Sequence, residues 1–176
     1  AKSPHTFMYT LPDTVGLAAE CGTNIGVVLD AWHWHHSGGS TAEILAAGKA
    51  RIVHVHVSDA KPAPPEEVRD NQRHMPGEGV IDLAGFFQAL KKVGYVDGVS
   101  PEPLGRVPAD MPPEDGARLG LETTLAMMKK ALGGRSSSAF GRNQPPSATS
   151  GSSGMPSRAP VPSNSRITAT TTSTRP

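Results

Sequence analysis

Three short stretches carry the side chains most able to do chemistry together: Asp30-Ala-Trp-His33, His54-Val-His56, and Glu102 within Ser100-Pro-Glu-Pro103. Two carboxylates and an imidazole are the donor set of a hard or borderline divalent ion such as Mn²⁺, Mg²⁺, Co²⁺ or Zn²⁺. Each of the three residues stands at or near the end of a short apolar run. If those runs are neighbouring parallel strands, Asp30, His56 and Glu102 converge on one point. His54 and His56 are two residues apart and so point the same way on a strand. His56 lies nearer the carboxyl end and is the better ligand, with His54 deeper. Taken singly, an acid at a strand end is more often a helix cap or an ion-pair partner. The joint spacing with His56 is what favours the metal reading.

The elements that must position these residues alternate along the chain. Pro12–Cys21 reads as a helix, with Pro at its start and Gly22 past its end. Ile25–Asp30 reads as a buried strand. Thr41–Gly48 is a short helix capped by Ser40, and Arg51–Val57 is a second strand. A polar, Pro-rich stretch runs from Ser58 to Gly79. Asp82 caps a helix through Val93, which Gly94 ends. Val99–Glu102 is a third strand. Glu114–Leu132 is a last helix, with Leu119, Leu121, Leu125, Met128 and Leu132 as its expected apolar face. Strands separated by helices imply parallel pairing. Polar residues gathered at the carboxyl ends of the strands favour a (β/α) barrel over an open doubly wound sheet.

Charge divides the chain in two. It has 176 residues, with 17 Lys+Arg and 16 Asp+Glu, and all seven histidines fall before residue 134. Residues 134–176 hold five arginines, 17 Ser/Thr, six Pro and no acid, leaving 12 basic and 16 acidic groups in residues 1–133. The tail cannot bury enough apolar surface to offset its ordering entropy and is expected to be disordered. No run of about 18 apolar residues exists, so no membrane span is expected. No leader is visible at the start, and a cytoplasmic location follows as the expectation. The single cysteine, Cys21, excludes an internal disulfide framework. The 5% aromatic content speaks against a single-strand nucleic-acid platform, and the basic tail alone is weak grounds for nucleic acid as a partner.

The ordered motifs resemble a known family. Asp30-x-x-His33 followed by Ser37-Gly-Gly, the His54-Val-His-Val-Ser-Asp59 strand, Arg73-His-Met-Pro-Gly-Glu-Gly79, Asp82-Leu-x-x-Phe-Phe87, and Gly94-Tyr-Val-Asp-Gly-Val-Ser-Pro-Glu-Pro103 are similar to the xylose isomerase-like TIM barrels, in particular their sugar phosphate isomerase/epimerase group. The resemblance covers about His5 to Leu132. It implies a partial (β/α)8 TIM barrel over residues 1–133, comprising about the last three β/α units. It also implies one divalent metal ion held by Asp30, His56 and Glu102, and substrate contacts from His33 and Arg73. Glu102 would double as the proton-transfer group. The implied activity is isomerisation or epimerisation of a small sugar, sugar phosphate or hydroxy-ketone through a metal-bound enediolate. Small sugars are thus the expected partners, with a homo-oligomer left open.

Three alternatives accompany that reading: a keto-sugar (inosose-type) dehydratase, an apurinic-site endonuclease, and a non-catalytic remnant. The endonuclease needs an Asp-x-His pair where this chain has Asn71 and Arg73, and is disfavoured. The family's first metal Glu would fall on a strand before Ala1, and a whole barrel needs about 250 residues. The chain is therefore expected to be the C-terminal piece of such an enzyme. By its position in a polar loop, Arg73 taken alone would be solvated.

Overall fold

The computed structural model describes residues 8–64, 67–108 and 110–133. The expected disorder of 134–176 lies outside the described residues. The element order is α1 (Leu11–Cys21), β1 (Val27–Asp30), α2 (Ala31–His36), α3 (Thr41–Ala47), β2 (Ile52–Val57), β3 (Asp59–Ala60), β4 (Arg73–His74), α4 (Leu83–Lys92), β5 (Val99–Pro101) and α5 (Pro113–Leu132). Strands β1, β2 and β5 form a parallel sheet in that order, and β3 and β4 form a small antiparallel pair. The sheet does not close into a barrel among the described residues.

Local chemistry accounts for most boundaries. The Thr10 hydroxyl accepts from the Asp13 N–H and starts α1. Ser40 and Glu43 form a reciprocal capping box on α3. The Asp82 carboxylate accepts from the Gly85 N–H at the head of α4. Helix α1 has no basic residue in its last turn. Arg51, at the entry to β2, supplies one: its Nη1 donates to the carbonyls of Ala18, Gly22 and Ile25 at 3.4, 3.0 and 2.9 Å. A single guanidinium thus satisfies the end of α1 and the approach to β1.

Val27, Leu29, Val55 and Val57 are buried against the helices, where Ile44, Phe86, Phe87, Leu90 and Tyr95 complete the core. Register fixes what the other face presents. Val28 pairs with His54, Asp30 with His56, and His56 with Ser100, so these residues share one side of the sheet. Pro101 has no N–H to give, which an outer strand tolerates. The next N–H, that of Glu102, donates to the Val57 carbonyl at 2.8 Å and holds Glu102 against the end of β2.

The residues after Asp30 form a further helix, α2, beyond the elements expected from sequence. The expected apolar face of α5 holds at Met128, which is buried, and at Leu132, which packs partly buried against the core, and fails at its other three leucines. Gly120, Thr124, Met128 and Ala131 are buried, while Leu121 and Leu125 are 54% and 52% exposed and Leu119 is also exposed. The physical reason is distance. A Cβ on Gly120 would lie 3.1 Å from Pro101 Cγ, so the helix approaches β5 along small residues and its leucines project elsewhere.

Candidate metal centre

Asp30 ends β1 and caps α2, and its two oxygens have separate partners. Oδ1 accepts the backbone N–H groups of Trp32 and His33 at 2.8 and 3.1 Å. Oδ2 accepts Nη1 of Arg73 at 2.8 Å. His56, opposite Asp30 in the register, places Nδ1 3.8 Å from that same Oδ2 and 3.2 Å from Glu102 Oε2. Asp30, His56 and Glu102 thus offer ligand atoms that all lie within 4.8 Å of one another. His54 stands outside this group; its Nε2 is 2.9 Å from the Ser100 hydroxyl.

Arg73 is not solvated. It is 2% exposed. Its Nη1 donates to both Asp30 Oδ2 and Glu102 Oε2 at 2.8 Å. Its Nε and Nη2 donate to Asp70 Oδ1 at 3.2 and 2.6 Å, and its Nη2 is 3.3 Å from His33 Nε2. The guanidinium carbon sits 5.0 Å from the Trp32 ring centroid, a cation–π contact. His33 itself is exposed. The stretch read as a polar loop folds back through β3 and β4, which pair Asp59 with His74 and Ala60 with Arg73. Asp59 is fully buried and holds that fold-back with three backbone donors: Ala60 and Ile81 on Oδ1 at 2.9 Å each, and Gly77 on Oδ2 at 3.0 Å. The loop after Glu102 closes on the same segment. The Arg73 N–H donates to the Leu104 carbonyl at 3.1 Å. Gly105, at φ +75°, lies where a Cβ would collide with the Asn71 carbonyl.

The two carboxylates titrate in opposite directions. Burial works to raise the Asp30 pKa, but the charge and hydrogen bond of Arg73 outweigh it and hold Asp30 below the usual carboxylate range. Glu102 is pushed up, first by burial and then by its hydrogen-bonded approach to Asp30, against the lowering pull of Arg73 and His56. Within the pair, a proton goes to Glu102 before Asp30.

The donor set fits a divalent ion. It offers one imidazole nitrogen and two carboxylate oxygens within reach of one centre, the mix such ions take. The fit extends to charge. Asp30, Asp70 and Glu102 surround a single guanidinium, so with both imidazoles neutral the cluster carries −2. Arg73 is itself no ligand, because a guanidinium, always protonated, offers no lone pair.

The sequence profile of the xylose isomerase-like TIM barrels matches residues 2–130. The chain belongs to that family. Among its relatives, inosose isomerase of Bacillus licheniformis is 33% identical over 107 residues, covering 61% of this chain and 38% of that enzyme. A crystal structure of the IOLI protein with a binding zinc atom superposes with a TM-score of 0.66 at 28% identity, covering 73% of this chain and 46% of the other. A xylose isomerase domain protein from Alicyclobacillus acidocaldarius gives a TM-score of 0.61 at 31% identity over 70% of this chain and 44% of its own. The chain therefore spans less than half the length of each of these xylose isomerase-like relatives. Among the described residues, no helix is long and apolar enough to cross a membrane.

Of the residues singled out from sequence, the structure gathers Asp30, His56, Glu102 and Arg73 into one contact network, with His33 at its exposed edge. Asp70 is not among them; the sequence suggests Trp32 as a wall of a sugar pocket and Asp59 as a residue that orients the loop, and the structure sets Trp32 against Arg73 and Asp59 on the backbone of that loop. Asp70 had a local signal, three residues before Arg73. Trp32 had one too, as an aromatic one residue ahead of His33. The grip of Asp59 on Gly77 and Ile81 spans about 20 residues and had no short-range signature.

Proposed function

We propose that this chain carries the metal-binding and proton-transferring end of an isomerase or epimerase acting in the cytoplasm on an inosose or similar small polyhydroxy ketone. The convergence of Asp30, His56 and Glu102 at the ends of three parallel strands carries this reading. The inosose isomerase relatives and the zinc-bound structure support it. In this reading Asp30, His56 and Glu102 hold one divalent ion (Mn²⁺, Mg²⁺, Co²⁺ or Zn²⁺). Such an ion, when bound, polarises the substrate's adjacent oxygens and stabilises negative charge that develops there.

This chain's own residues do the rest. Glu102 accepts a proton from the substrate carbon beside the carbonyl and returns one. Arg73, fixed by Asp70 and Trp32, donates to a substrate oxygen, and exposed His33 meets a hydroxyl at the solvent side. The buried Asp30 keeps its charge and serves as a ligand.

Calorimetric titration of the full chain with Zn²⁺ and Mn²⁺ tests the centre. One ion should bind per chain, and the D30A/H56A/E102A variant should not bind it. Equal binding by that variant would refute the ligand assignment. Deuterium incorporation from solvent into an inosose, followed by NMR, tests the proton transfer. E102Q should abolish incorporation while leaving the circular dichroism spectrum unchanged, and retained incorporation would remove Glu102 from the role. Loss of water from the inosose would instead indicate the dehydratase.

A further inference from the structure

The guanidinium of Arg73 and a divalent ion have a claim on the same atoms. Nη1 is 2.8 Å from Asp30 Oδ2 and from Glu102 Oε2, the two oxygens that face His56 Nδ1 at 3.8 and 3.2 Å. Asp30 cannot offer its other oxygen, because Oδ1 is taken by the N–H groups that start α2. Two ionised carboxylates close enough to share one NH2 group repel each other, and a cation between them relieves the repulsion. An ion bound at about 2.0–2.2 Å to those oxygens, with Nη1 still on both, would set two positive charges side by side in a half-buried site.

Arg73 has a second seat. Its Nε and Nη2 already rest on Asp70 Oδ1, and Nε also donates to the Asp70 carbonyl at 3.2 Å. The face of Trp32 supports the guanidinium plane. Releasing Nη1 from the two carboxylates therefore breaks one part of a three-sided grip and leaves the rest.

Resting on the metal reading given above, we infer that Arg73 is an exchangeable counter-cation of this site. It holds Asp30 and Glu102 together and cedes their oxygens to the arriving divalent ion by withdrawing onto Asp70. The exchange weakens metal affinity by the charge-assisted hydrogen bonds that must be given up, and it frees Nη1 to donate to a substrate oxygen beside the ion.

The test is Zn²⁺ titration of the full chain by calorimetry, with each variant's fold checked by circular dichroism. R73M removes the competitor and should bind Zn²⁺ tighter than the wild type by about tenfold or more, the equivalent of one lost charged hydrogen bond. R73A should tighten likewise. In R73A, guanidinium chloride at about 10 mM should weaken Zn²⁺ binding again where the same concentration of NaCl does not, because only a fork-shaped cation reoccupies the carboxylate pair. D70N removes the second seat at an exposed residue and should weaken binding several-fold. Affinities within about twofold of wild type in R73M and R73A, or guanidinium acting no differently from sodium, would overturn the inference, as would an unchanged D70N. The D30A/H56A/E102A variant reports separately: if it binds Zn²⁺ like the wild type, the ligand assignment itself is wrong.

Discussion

The two sides of the three-stranded sheet are built by different physics. On the side that meets the helices, Val27, Leu29, Val55 and Val57 are buried in one core cluster with Phe86, Phe87 and Leu90, and order comes from removing apolar surface from water. On the other side Val28 is 43% exposed, and the neighbouring residues are His54, His56, Asp30 and Ser100. There order comes from charge-assisted hydrogen bonds centred on Arg73 and from the backbone cradle of Asp59. One backbone serves both because side chains alternate, so packing and chemistry are placed by the same register and occupy opposite faces.

The sharpest way to break this contrast is to remove bulk from the helix side. Phe86→Ala should cost about 3–5 kcal/mol in urea unfolding; a cost near zero would mean that the covered face is not the core. Asp59→Ala should cost about 2–4 kcal/mol by the same measurement, because three backbone N–H groups lose their acceptor in a buried place. It should also loosen the seat of Arg73, read as faster amide exchange at Gly77 and Ile81. Tyr95→Phe is a smaller change on the helix side, at about 1 kcal/mol for the lost bond to the Gly98 carbonyl, 2.7 Å long. Burial, aided by the charge of Asp97, pushes the Tyr95 hydroxyl up to about 12 from 10.0. The folded state therefore favours the neutral phenol. That contribution is whole below pH 10 and is lost as the pH rises toward 12, and the Phe variant should lose that slope. Val28→Thr on the open side should change stability by under about 0.5 kcal/mol.

How legible each side was follows from the same contrast. The helix side is legible at its helix ends, because caps are local: Ser40, Asp82 and Gly94 stand at the ends they signal. The α5 face is legible only in part: Met128 is buried as expected, but leucine does not mark burial at 119, 121 and 125. The sheet instead demands closeness at Pro101, and Gly120 and Thr124 allow it where leucine would not. At the site end, Asp30, His56 and Glu102 could be brought together on paper because each ends a strand. The position of Arg73 could not be reached that way. Its burial depends on Asp59 gripping residues 77 and 81 and on the contact of Gly105 with Asn71, couplings between segments that no local pattern encodes.

The divided carboxylate of Asp30 has one more consequence. With Oδ1 tied to two amides of α2, the side chain has no rotamer left to choose, and folding the first turn of that helix also aims Oδ2. A ligand meeting Oδ2 finds a group whose freedom was surrendered earlier, so none is lost on contact. Any replacement at position 30 must satisfy a helix terminus and a reactive cluster at once, with one atom for each.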